Sequence, residues 1–249
     1  MLNFNQHQLL MPRAILYGPG CLQELGKKAK DLGKKALIVT DNIMVKQGYV
    51  DKLRGILKEE GLESSVFDKA NFEPTTTLID EGVKIFKDDN CDFLIAMGGG
   101  SPMDTAKAIG AMAVNKGKLA DYMGSNKITI APPPIVAIAT TAGTGSEVTR
   151  VTIITDVEND VKMLISSDNL MPTIAVNDPL LTMSVPQKTT AATGIDAFCH
   201  ASEAFISIKS QPFTDEMALS AISRISKYIR RAWANGDDLE ARSEMMLAS

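Results

Sequence analysis

Asp92-Phe-Leu-Ile-Ala-Met-Gly98-Gly99-Gly100-Ser101-Pro102-Met103-Asp104-Thr105-Ala106-Lys107-Ala108-Ile109-Gly110 passes from an apolar, strand-forming run through three consecutive glycines into a helical pattern. Proline suits the first helical position, so Pro102 predicts a helix start with Ser101 as the capping side chain. Glycines let a backbone approach a ligand closely, and a helix N-terminus carries partial positive charge. Strand, glycine loop and helix start together make a cradle for an anion, most often a phosphate or pyrophosphate. The spacing is neither Gly-x-Gly-x-x-Gly nor a Walker loop, so a plain tight turn stays open as an alternative. Asp104 and Lys107 lie three apart on the first helical turns and bond each other, a ligand, or simply face solvent as a surface pair.

Outward from this stretch, short apolar runs alternate with longer amphipathic ones. Ala36–Thr40, Ser65–Phe67, Phe93–Met97, Ile135–Ala139 and Thr173–Val176 read as buried, mostly parallel strands. Helical spacing covers 43–60, 76–89 and 102–116. The alternation predicts an α/β fold with a sheet covered on both faces. Val151–Thr155 and Lys162–Ile165 read as an antiparallel hairpin added to that sheet. No strand-like run follows residue 186, and helical stretches occupy 187–207, 213–234 and 237 onward. The expected organisation is therefore a Rossmann-like α/β domain over 1–184, then an all-helical, incomplete domain over 185–249. The sequence stops at Glu244-Met-Met-Leu-Ala-Ser249 within a helical pattern, which reads as a truncation that leaves apolar surface on 187–249 exposed.

Composition bounds the function. With 249 residues, 45% hydrophobic and 22% charged, the chain has the makeup of an ordinary globular protein. A net charge of -4 and the lack of a basic block argue against nucleic acid or an anionic membrane as partner. Cys21, Cys91 and Cys199 form no CxxC pair and no secretory signal precedes them, which predicts a reducing, cytoplasmic setting.

Three further constellations bear on chemistry. Asp41 closes the strand ending Leu-Ile-Val-Thr-Asp41, where ligands of open α/β sheets sit. Its carboxylate is either a helix N-cap or an acceptor for ribose hydroxyls, which would disfavour a 2′-phosphate. Thr140-Thr-Ala-Gly-Thr-Gly-Ser-Glu-Val-Thr149 follows another strand and reads as a polar ligand loop or an ordinary turn. Asp196 and His200, four apart, project from one helix face and form either two metal donors or a simple hydrogen-bonded pair. Cys199 reads as a buried thiol. His7 reads as exposed.

Taken together, Gly98–Lys107, Thr140–Thr149 and Ala192-Thr-Gly-Ile-Asp196-Ala-Phe-Cys-His200-Ala-Ser-Glu203 resemble the iron-dependent (group III) alcohol dehydrogenases. Tyr17-Gly-Pro-Gly20 and Asp178-Pro-Leu-Leu181 support the resemblance. It implies NAD binding, with NADP less favoured. By resemblance Asp41 holds the adenosine ribose and Gly99, Gly100 and Ser101 the pyrophosphate. Asp104, Thr140, Thr141, Thr144, Thr149, Asn71 and Lys162 complete the cofactor site. Asp196 and His200 match two ligands of Fe²⁺ or Zn²⁺, and two further histidines are expected downstream of the last residue. The implied activity interconverts small primary alcohols or diols and aldehydes by hydride transfer, in a homo-oligomer. A glycerol-dehydrogenase-like zinc enzyme and a non-catalytic NAD-binding fragment stay open as alternatives.

Overall fold

The computed structural model of the chain describes residues 8–249, so His7 lies outside the described residues. The first part comprises β1 (Ala14–Tyr17), α1 (Leu25–Ala29), β2 (Lys35–Thr40), α2 (Asn42–Lys46), α3 (Tyr49–Glu59), β3 (Glu63–Phe67) and α4 (Thr76–Asp88). Then come β4 (Phe93–Gly98), α5 (Gly100–Val114), β5 (Gly124–Ser125), β6 (Ile135–Ala139), β7 (Val151–Asp156), β8 (Val161–Ser166) and β9 (Ile174–Asn177). Three helices close the chain: α6 (Gln187–Ile206), α7 (Pro212–Ala234) and α8 (Leu239–Ala248).

Six strands form one parallel sheet in the order β1-β9-β6-β4-β2-β3. Successive side chains on a strand point to opposite faces, so the apolar runs of β2 and β4 feed two cores at once. Leu37, Val39, Leu94 and Ala96 pack with Ile79, Phe86, Met103 and Ile109 on one side. Ala36, Ile38, Phe93, Ile95 and Met97 pack with Leu22, Leu53, Ile56 and Leu57 on the other. Each fully buried aliphatic side chain contributes about 1.5–3 kcal/mol relative to exposure, which makes this double-faced burial the main stabilising term.

Three expectations need correction. The helical pattern over 43–60 is two helices, because Gly48 adopts φ +77° and turns the chain between α2 and α3. The 151–165 hairpin does not extend the main sheet. It forms a second sheet with β5, in the order β5-β8-β7, and its Ile154, Met163 and Ile165 join the core around α5. Its alternating burial supplies one apolar face, which covers a helix layer rather than filling a doubly buried strand position. Cys199 is exposed, not buried, on the open face of α6 with Ile195, one turn before it.

The helical segment has its own small core of Ala197, Ile225, Tyr228, Ala232, Ala241 and Met245. It leaves Ile195, Phe205, Ile206, Ile208 and Phe213 exposed, as the sequence predicts for this segment. Arg242 on α8 braces it internally, donating to Thr190 Oγ1 on α6 at 2.7 Å, Val185 O just before α6 at 3.1 Å and Gly236 O between α7 and α8 at 3.0 Å. No described helix is long and apolar enough to cross a membrane.

Candidate functional site

The topology explains why Asp41 precedes the glycine loop by so many residues. From β2 the chain moves outward to β3, then returns across β2 to β4 and continues the opposite way through β6 and β9. Strands β2 and β4 are thus neighbours on which the order reverses, and ligands of open α/β sheets bind in the crevice beyond such a pair. Register pairs Thr40 with Met97, so Asp41 and Gly98 leave the sheet side by side. A Cβ placed on Gly98 would lie 3.3 Å from Asp41 Oδ2.

Asp41 performs the capping role that its position allows. Its Oδ1 accepts from the amides of Ile43 at 2.8 Å and Met44 at 3.0 Å, which secures the start of α2. Oδ2 faces Gly98. Asn71 Oδ1 accepts the Asn42 amide at 2.8 Å, so Asn71 secures the same helix start from the loop after β3.

Helix α5 starts earlier than proline preference predicts. Gly99 is its N-cap, and Gly100 is its first residue, while Ser101 and Pro102 lie inside the first turn. No side chain caps this end, so Ser101 does not play the expected capping role. The reason lies in the backbone: Gly98 at φ +152° redirects the chain, and Gly99 is already extended. Pro102 is tolerated there because first-turn amides have no partner within a helix. An uncapped helix N-terminus beside three glycines is open to an anion.

The loop after β6 packs directly on these glycines. Thr140 donates its amide to Gly98 O at 3.0 Å. A Cβ on Gly99 would stand 3.3 Å from Thr141 Oγ1, and one on Gly100 3.1 Å from Thr144 Cγ2. The structure thus brings Asp41, Asn71, Gly98–Gly100, Thr141 and Thr144 to one sheet edge, with Thr140 buried beneath them.

Asp104 and Lys107 are not a surface pair. Lys107 has no solvent exposure, and its Nζ donates to Ser146 O at 2.7 Å, Ser146 Oγ at 2.9 Å, Val151 O at 2.9 Å and Thr149 Oγ1 at 3.2 Å. Asp104 accepts from Ser146 Oγ at 2.9 Å and from the Ile153 amide at 2.8 Å, so the Ser146 hydroxyl bridges the two charges. Burial pushes the Lys107 ammonium down to about 8, against the opposing pull of Asp104 and Glu147. Burial likewise pushes the carboxyls of Asp104 and Glu147 upward. Glu147 Oε1 accepts from Asn177 Nδ2 at 3.2 Å, while Asn177 Oδ1 finds no partner among the described residues. Sequence reasoning takes in Ser146 and Glu147 only as part of the threonine loop, with no role of their own, and misses Asn177, the last residue of β9, because a single polar residue ending an apolar strand carries no signal.

Lys162 is exposed on β8 and paired with Glu73, and its charge acts on the Asp104 carboxyl against the effect of burial. Asp196 and His200 share a face of α6, with Nε2 3.7 Å from Oδ1 and each side chain about half exposed (47% and 56%). Thr193, one turn before Asp196, packs on the threonine loop: a Cβ on Gly143 would meet Thr193 Cβ at 2.6 Å. Residues three and seven positions further along share that stripe, so the pair continues away from the loop along α6. Among the described residues, no third His, Cys, Asp or Glu joins it.

A family profile described as "Iron-containing alcohol dehydrogenase" matches residues 12–179, and one described as "Fe-containing alcohol dehydrogenase family, C-terminal" matches 190–249. The NAD-dependent methanol dehydrogenase of Bacillus methanolicus is 44% identical over 239 residues, which cover 96% of this chain and 63% of that protein. A crystal structure of 1,3-propanediol oxidoreductase is similar at a TM-score of 0.96 and 42% identity, over 98% of this chain and 64% of that one. The sulfoacetaldehyde reductase of Bifidobacterium kashiwanohense, solved in complex with NAD⁺, is similar at a TM-score of 0.87 and 36% identity, over 97% and 65%. The chain spans just under two thirds of the length of these relatives.

Proposed function

The chain belongs to the iron-containing alcohol dehydrogenase family, and from that premise we propose that it binds NAD for the interconversion of small alcohols and aldehydes. The observation that carries this reading is the crevice where Asp41 and Gly98 stand side by side beside the uncapped start of α5. Its chemistry fits a dinucleotide. Open first-turn amides and Cβ-free backbone at Gly99 and Gly100, with Ser101 beside them, suit a pyrophosphate. Asp41 Oδ2 suits ribose hydroxyls and repels a 2′-phosphate. The hydroxyls of Thr140, Thr141, Thr144 and Thr149 line or support the adjoining wall, and Asn71 and Lys162 join the cofactor site in this family's pattern.

Calorimetric titration tests this reading. The chain is expected to bind NADH more tightly than NADPH, and Asp41→Ala is expected to erase that preference. The same substitution removes a cap worth about 1 kcal/mol, measurable as a lower unfolding midpoint. No heat of binding with NADH would overturn the cofactor assignment.

We further propose Asp196 and His200 as two ligands of a divalent cation, Fe²⁺ or Zn²⁺. Carboxylate and imidazole at helical i, i+4 spacing have the right donor chemistry. Two donors alone bind weakly, so the described residues fit such a cation only in part. Zinc titration should show weak binding that is lost in His200→Ala; an unchanged isotherm would exclude the pair. When bound, NAD supplies the hydride acceptor for alcohol oxidation. The chain's own residues contribute by fixing the cofactor at the sheet edge, which turns an encounter between two molecules into a positioned reaction. We assign residues 1–184 to the cofactor unit and 185–249 to the helical unit. The exposed apolar side chains on α6 and α7 support a homo-oligomeric state.

A further inference from the structure

We propose that Lys107 is a positioning residue for the cofactor crevice: from inside the fold it clamps the Ser146–Val151 turn to α5, so that the threonine loop stays seated on Gly99 and Gly100. The inference rests on the cofactor reading above and adds a residue that touches no cofactor.

Lys107 sits seven residues after Gly100 on α5, two turns or about 10 Å along the axis. The helix that opens at the glycine loop therefore also carries the cation that holds the neighbouring loop. The Nζ has three hydrogens and four oxygens within reach, two of them main-chain carbonyls of the turn. Those carbonyls fix the turn's path, and the Thr149 hydroxyl is held by the same ammonium. Asp104, one turn earlier on α5, bonds the opposite side of the turn through Ser146 Oγ and the Ile153 amide. Its main-chain carbonyl also accepts from Thr152 Oγ1 at 2.8 Å. Two charges of opposite sign on one helix thus grip residues 146–153 from within.

An apolar side chain of similar length could fill the same space without the desolvation cost of a buried ammonium. A lysine is needed because it satisfies oxygens that would otherwise be buried without donors. The loop beyond this clamp carries Thr141 and Thr144, whose side chains meet the glycines. Freeing the clamp lets that loop leave the glycines, and the ordering it would need on binding weakens affinity.

The test uses the 249-residue chain, Lys107→Met, and Ile56→Ala as a control that destabilises the core on the opposite face of the sheet. NADH affinity is measured by calorimetry at a temperature where all three are folded. Lys107→Met is expected to raise Kd by about tenfold, while Ile56→Ala stays within about twofold of the parent. Hydrogen exchange without cofactor is measured alongside: amides of 140–151 should exchange faster in Lys107→Met than in Ile56→Ala. An unchanged Kd together with unchanged exchange in 140–151 would overturn the proposal and leave Lys107 as a brace of the core alone. If the parent chain binds no NADH, the cofactor reading fails, and the exchange measurement still decides whether Lys107 orders the loop. Should Lys107→Met not fold, Ser146→Ala replaces it, and parental Kd and exchange in that variant would equally overturn the proposal.

Discussion

Asp104→Ala is expected to lower the unfolding free energy by about 3–5 kcal/mol, because removing one member of a buried charge cluster strands the rest. The Lys107 ammonium would lose its neighbouring carboxylate, and the Ser146 hydroxyl and Ile153 amide would lose their acceptor. Asp104→Asn keeps an acceptor for one of those donors, so about 1–3 kcal/mol is expected from it. Urea unfolding followed by circular dichroism separates the two variants; equal losses would mean that the charge contributes nothing beyond the hydrogen bonds. The pH dependence has a defined sign. Burial raises the Asp104 carboxyl above its ordinary 3.8, so the folded chain keeps a proton that the unfolded chain has lost. The associated stability is fully present below pH 3.8 and is lost as pH rises through the folded value. Lys107 acts at the other end: lowered from 10.5 to about 8, it costs stability below about 8, and that cost is relieved as pH rises toward 10.5. Lys107→Met should abolish the alkaline rise and leave the acid-side fall in place.

Gly98→Ala is expected to cost about 2–4 kcal/mol and to abolish measurable NADH binding. Gly98 has φ +152°, a conformation that side chains resist, and its new Cβ would lie 2.6 Å from Pro102 Cγ and 3.2 Å from Pro102 Cβ. The proline ring is held in the first turn of α5 and has no rotamer by which to withdraw. Relief would require moving the start of α5, which is the surface proposed to receive the pyrophosphate. Gly55→Ala supplies the contrast. On α3 its Cβ meets nothing within 4 Å, so the smaller unfolded-state entropy should stabilise the chain by about 0.4–1 kcal/mol. A Gly98→Ala chain with parental stability and affinity would show that the glycine loop is not held where the structure places it.

Much of the sheet was readable from local chemistry. The runs Ala36–Thr40, Phe93–Met97 and Ile135–Ala139 are apolar on both pleat faces, and they became the central strands for that reason. Ala14–Tyr17 escaped notice because it is an edge strand with alternating partial exposure, and Gly124–Ser125 because two residues carry no period. The sequence carries a signal for the buried lysine. Apart from Asp104 and Lys107, Met103–Val114 is apolar or small on every face, and a helix apolar all round is buried. Its two charged residues therefore had to be inside with partners. What identified those partners, Ser146 and Thr149, was the folding of a distant loop onto the helix, which no local pattern encodes.

By itself, the sequence determined the strand-glycine-helix unit at 92–110, the alternation that makes the sheet parallel, and the helical character after residue 186, because these follow from periodicity and backbone preference. The tertiary structure alone decided that Asp41 stands beside Gly98, since strand order is set by long-range pairing. It alone also decided which loop groups Asp104 and Lys107 meet and that Asp196 and His200 stand half exposed along α6. Local physics selects the elements; only their packing selects which polar groups meet.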